Sequence, residues 1–141
     1  MDSGALSLER WISFAEGSKQ TLVVTPLGGD LYRLEWTPLL VDQELFLGDV
    51  IEAETQENGE LSFRRLVTPS PWHHWQWILS KDVVESPIFE ALTATIEKQG
   101  GKWERYLGGI ILFHLPPEAS LDPQEEMKKV INKVQTKRQD G

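Results

Sequence analysis

A chain of 141 residues with no cysteine forgoes disulfides, thiolate metal sites and cysteine nucleophiles. Its formal charge of -8 disfavours nucleic acid, whose phosphates require clustered Lys and Arg, and no apolar run approaches the roughly 20 residues of a bilayer span. The 40% hydrophobic, 26% charged composition is that of an ordinary globular protein, for which cytoplasmic residence is the plain expectation.

Met1–Gly4 reads as a frayed end, and Asp2 and Glu9 around a short, weakly apolar stretch do not read as a secretory leader. Leu6–Ala15 fits two patterns. Leu8, Trp11, Ile12 and Ala15 suit a helix turn, whereas Trp11–Ala15 before Gly17-Ser18 suits a strand, which the β-rich stretch that follows favours. Thr21–Thr25 and Leu31–Trp36 flank Gly28-Gly29-Asp30, and Val50–Thr55 and Glu60–Val67 flank Asn58-Gly59; both are hairpin signals. Pro38–Phe46 joins the two hairpins and carries an apolar stripe. Residues 10–68 therefore read as a small antiparallel β-sheet or barrel-like half of roughly four to six strands.

The pattern changes near Thr68–Pro71, a stretch too short for a flexible linker. Pro71–Leu79 reads as a strand. Ser86 before Pro87 starts a helix to Gln99, with Ile88, Phe89, Leu92 and Ile96 on one face and Gly100 to close it. Trp103–Tyr106 and Ile110–Leu115 form a hairpin about Gly108-Gly109, halted by Pro116-Pro117. Asp122 caps a last helix to Lys137, with Glu125 reaching back and Met127, Val130, Ile131 and Val134 on one buried stripe. Residues 71–137 thus make a strand-helix-hairpin-helix, ferredoxin-like half with both helices on one side. The expectation is one α+β domain over 1–141 whose halves share a core.

Trp72-His73-His74-Trp75-Gln76-Trp77 is the most unusual stretch. Strand alternation puts Trp75, Trp77 and Leu79 beneath the helices as core, and Trp72, His74 and Gln76 on the more polar face, the candidate interaction surface. Neighbouring histidines then point to opposite faces. A zinc site would need His114 and a carboxylate as well, and nothing in the spacing brings these together, so no metal and no cofactor are expected. Asp49 suits a turn carboxylate bonded to backbone N–H groups, Asp82 and Glu85 suit the loop before a helix N-terminus, and Arg64-Arg65 suit surface ion pairs. No phosphate loop, dinucleotide fingerprint or nucleophile elbow is present, and no catalytic residue is assigned. Charge is uneven: residues 1–127 hold 21 acids and 9 bases, a net of -12, and residues 128–141 hold 1 acid and 5 bases, a net of +4. Lys128, Lys129, Lys133, Lys137 and Arg138 lie where cations complement a helix C-terminus.

Leu31-Tyr32-Arg33-Leu34, Pro38-Leu39, Leu47–Ala53, Glu60–Arg64, Glu104 and Leu115-Pro116-Pro117, in that order, resemble an uncharacterised bacterial family, the domain of unknown function 4265. The resemblance spans roughly residues 10–134. It implies a β-rich part followed by an αβ part, and it implies no catalytic residue. Function is expected to be non-catalytic: a protein–protein interaction or regulatory module, of immunity type in one concrete version, whose acidic body suits a basic partner. The alternative is a small-molecule sensor with its ligand between sheet and helices. Nucleic acid and membrane are not expected partners, and both monomer and homodimer stay open.

Overall fold

The structure, a computed structural model, describes residues 7–14, 17–39 and 44–140, the last four without their side chains. It divides into two compact units, Met1–Pro71 and Trp72–Gly141. The chain is α+β.

The first unit is a closed five-stranded barrel of β1 (Leu8–Ser13), β2 (Lys19–Gly28), β3 (Leu31–Leu34), β4 (Val50–Thr55) and β5 (Leu61–Thr68). Successive strands pair antiparallel, and a short parallel contact of β1 with β5, Ile12 opposite Leu61 and Ser13 opposite Ser62, closes the ring. Strand alternation fills the interior: Ile12, Leu22, Val24, Leu34, Ile51, Ala53 and Leu61 are all buried. The ambiguous N-terminal segment is thus a strand, although Leu6 and Ala15 lie outside the described residues. Both expected hairpins form. Gly59 takes φ +85 while Asn58 Oδ1 accepts from the Glu60 N–H at 3.0 Å. Of the connector Pro38–Phe46, residues 40–43 lie outside the described part; Leu45 is buried, and the Gln20 amide bonds both the N–H and the C=O of Leu39. Asp49 binds backbone as expected. Its carboxylate accepts from Phe46 N at 2.9 Å and also from Ser70 N at 2.6 Å. Arg65 pairs with Glu52 and Arg64 with Glu54 across the surface.

The second unit is a three-stranded antiparallel sheet with helices packed on one face. Its elements are β6 (His73–Ile78), α1 (Lys81–Val84), α2 (Pro87–Lys98), β7 (Lys102–Tyr106), β8 (Ile110–Leu115) and α3 (Pro123–Asp140). β8 lies between β6 and β7. Ser86 caps α2 by accepting from Phe89 N at 3.2 Å, and the Asp122 carboxylate caps α3 by accepting from Gln124 and Glu125. Glu125 does not reach back; it pairs with Lys128. One element is a correction. Asp82 and Glu85 do not lie in a plain loop, because Ser80 caps a further turn, α1, whose Val83 and Val84 are buried. The core joins Phe89, Leu92 and Ile96 of α2, Met127 and Val130 of α3, and Ile111, Phe113 and Leu115 of β8. Trp75, Trp77, Leu79 and Trp103 pack against it, with Trp77 meeting Phe113 edge-on at 5.1 Å.

Candidate functional site

Because alternate residues of a strand face opposite ways, the sheet that gives Trp75, Trp77, Trp103, Ile111 and Phe113 to the helices gives His74, Gln76, Glu104, Tyr106, Leu112 and His114 to its other face. Register does the rest. His74 stands directly opposite His114, and Glu104 lies one pleat along β7 from Lys102, the residue opposite His114. Gly101 permits the close start of β7, since a side chain there would come within 2.6 Å of the His114 carbonyl.

Four side chains on this face form one hydrogen-bonded chain. Tyr106 Oη donates to Glu104 Oε1 at 2.5 Å; Glu104 Oε2 lies 2.6 Å from His114 Nε2; His114 Nδ1 lies 2.8 Å from His74 Nδ1. His114 is fully buried and Glu104 nearly so. A carboxylate accepts, so His114 donates through Nε2, and two facing ring nitrogens can share only one proton. One N–H is therefore shared between His74 Nδ1 and His114 Nδ1, its direction set by the tautomer. Burial, chiefly, with the neighbouring His114 and His73 lowers the His74 pKa to about 4, against an opposing pull from Glu104. His74 is therefore neutral near pH 7. Such a chain fixes two imidazoles in series from one carboxylate and can pass a proton along its length.

This overturns one reading of the sequence: His114 and a carboxylate do meet a histidine of β6. They meet through direct hydrogen bonds, with no gap between the rings for an ion. Among the described residues no group of three or more metal-type side chains is arranged to hold one. The three sequence-predicted surface residues separate. Trp72 precedes β6 and is partly buried, His74 is half-buried against His114, and Gln76 is exposed. In the sequence, His114 stands out only as a candidate zinc ligand and Glu104 only as part of the family pattern, and Tyr106 does not stand out at all. The available signal was a histidine in the otherwise apolar run Ile110–Leu115, which needs a polar partner if buried.

The two outer strands differ. β7 carries Lys102 and Arg105, both exposed, whereas β6, His-His-Trp-Gln-Trp-Ile, has no Lys, Arg, Asp or Glu. β6 also ends on Ile78, which is 82% exposed. Among the described residues β6 pairs with β8 alone.

The family model described as "Domain of unknown function (DUF4265)" matches residues 20–138. The chain belongs to that family. The match runs through both units, from β2 to α3. A structure titled "Novel crystal structure of a hypothetical protein from Neisseria gonorrhoeae" is similar over 93% of this chain and 89% of that one, with TM-score 0.54 and 18% identity, a likeness of fold. Comparison with curated proteins gives no match. No helix among the described residues is long and apolar enough to cross a membrane.

Proposed function

We propose that this family member is a non-catalytic, cytoplasmic binding module that takes a partner protein along β6. The observation that carries the reading is the uncharged outer strand. A sheet edge offers a row of backbone donors and acceptors, and proteins that must not pair there guard it with charge. β7 is guarded in that way and β6 is not. A partner strand added to β6 would meet Gln76 and Ile78 on one face, with His74 held in place behind them by His114 and Glu104. The sheet order supports the ferredoxin-like reading of residues 71–137, since a returning strand set between the two it follows is the split βαβ arrangement; that is an analogy of fold and assigns no activity. Residues 1–71 hold 12 acids and 5 bases, a net of -7, which supports a basic partner and a regulatory or immunity-type role.

The test is native mass spectrometry of the tagged protein purified gently from its own host, beside Gln76→Lys and Ile78→Lys. Both positions are exposed, so the fold should persist. A stoichiometric companion lost from both variants is the expected result; a companion that both variants retain in full would sink the β6 assignment.

A further inference from the structure

α2 and α3 part to leave a groove of about 240 Å³ in the helical layer of the second unit. Leu92 and Val130, both buried, make its floor, and Ile88, Ala91 and Leu121 its walls. Its rim is basic. Lys129 and Lys133 of α3 stand over the groove; Lys129 lies 3.6 Å from Glu126, and Lys133 has no ion-pair partner among the described residues. In a chain of net charge -8, whose last fourteen residues are net +4, an apolar slot under a positive rim is a local inversion of sign.

We infer that this groove receives an apolar anchor side chain carried on an acidic peptide segment of a partner protein. Size chooses the class of occupant. Pockets for whole small molecules run from about 300 Å³ upward, and this groove falls short of that, while one or two leucine- or phenylalanine-sized anchors fill it. Charge chooses the flanks, because a carboxylate beside the anchor meets Lys133, the rim cation with no ion pair among the described residues, whereas Lys129 is already paired with Glu126. Helix-in-groove recognition uses such a combination, an apolar anchor at helical spacing with complementary charges beside it. The surface is separate from β6 and does not depend on that edge being used.

The experiment measures binding of the full-length protein to a fluorescein-labelled twelve-residue peptide with two leucines four positions apart among glutamates. The control peptide carries lysines in place of the glutamates. Fluorescence anisotropy should show saturable binding of the acidic peptide that weakens with added salt, and none of the basic one. Ala91→Trp fills the groove from an exposed helix position and should abolish binding; Lys133→Glu should weaken it roughly 3- to 10-fold, the scale of reversing one surface charge. Gln76→Lys, on β6, should leave this binding unchanged. Equal binding of the two peptides, full binding by Ala91→Trp with its circular dichroism intact, or no saturable binding up to about millimolar peptide would each overturn the inference.

Discussion

Replacing Glu104 with leucine removes the acceptor on which two side chains converge. His114 Nε2 lies 2.6 Å from one carboxylate oxygen and Tyr106 Oη 2.5 Å from the other, and His114 is fully buried. A buried donor left without a partner costs about 1–3 kcal/mol, so Glu104→Leu should cost about 3–5 kcal/mol. His114→Leu should cost a similar ~3–5 kcal/mol, because it leaves the Glu104 carboxylate buried beside an apolar group. The double variant strands neither half of the pair. Only the Tyr106 hydroxyl and the His74 Nδ1 atom lose their partners, so the two losses should not add, and the coupling should be about 2–3 kcal/mol. Urea denaturation at pH 7 measures this directly. Trp72, Trp75, Trp77 and Trp103 all lie in the second unit, so tryptophan fluorescence reports chiefly on it. With slopes of ~1–3 kcal/mol per molar urea, each single variant should lower the midpoint by about 1–5 M. Losses that add to within ~0.5 kcal/mol would show that Glu104 and His114 act independently, and the hydrogen-bonded chain would have to be abandoned.

His74 gives a pH signature. Its folded pKa of about 4 lies below the ordinary histidine value of 6.5, so the unfolded chain binds more protons between these values, and stability should fall as pH drops from about 6.5 to about 4. The full shift corresponds to ~3 kcal/mol, and half-exposure screens it to about 1–2 kcal/mol. Denaturation at pH 7 and pH 4.5 should show His74→Gln losing less than the parent, and an equal loss would refute the assignment. Leu107 holds φ 51 at the β7–β8 hairpin with its side chain 80% exposed. Leu107→Asn, a residue that tolerates this conformation, should raise stability by up to ~1 kcal/mol in thermal melts, and no gain would mean the backbone there is not strained. Phe113, fully buried and in ring contact with Trp77 and Phe89, should cost ~3–5 kcal/mol as Phe113→Ala; a loss below ~1 kcal/mol would contradict the packing.

Local chemistry made the elements legible in the sequence. Ser86-Pro87, Asp122-Pro123 and Asn58-Gly59 act within a few residues of themselves, and each marks a cap or turn that the structure contains. Strand alternation correctly gave Trp75, Trp77 and Leu79 to the helices. The turn α1 escaped because four residues are too few to show a helical period, and its signals, Ser80 and the Val83-Val84 pair, suit a loop or a strand equally well. Sheet and barrel both fit residues 10–68, and the parallel β1–β5 contact that decides for the closed barrel escaped for a different reason. It joins Ile12 to Leu61, forty-nine positions apart, and no local motif encodes such a pairing.

The polar chain lay between these cases. His74 and His114 are forty positions apart, so spacing alone carries no hint of their contact, yet each half of the problem was visible. A histidine in Ile110–Leu115 is costly to bury, and the hairpin that pairs this strand with Lys102–Tyr106 sets Glu104 within diagonal reach of it. The remaining nitrogen needed a partner from the strand on the far side, and β6 brings an imidazole there. Satisfying His114 from both sides fixes β6 against β8 in one register, since a slip by one residue would turn His74 towards the helices and leave the buried nitrogen without a partner. A β6 strand locked in that register presents Gln76 and Ile78 outward in a constant geometry, and this is how a network with no assigned catalytic task would serve the recognition proposed for that edge.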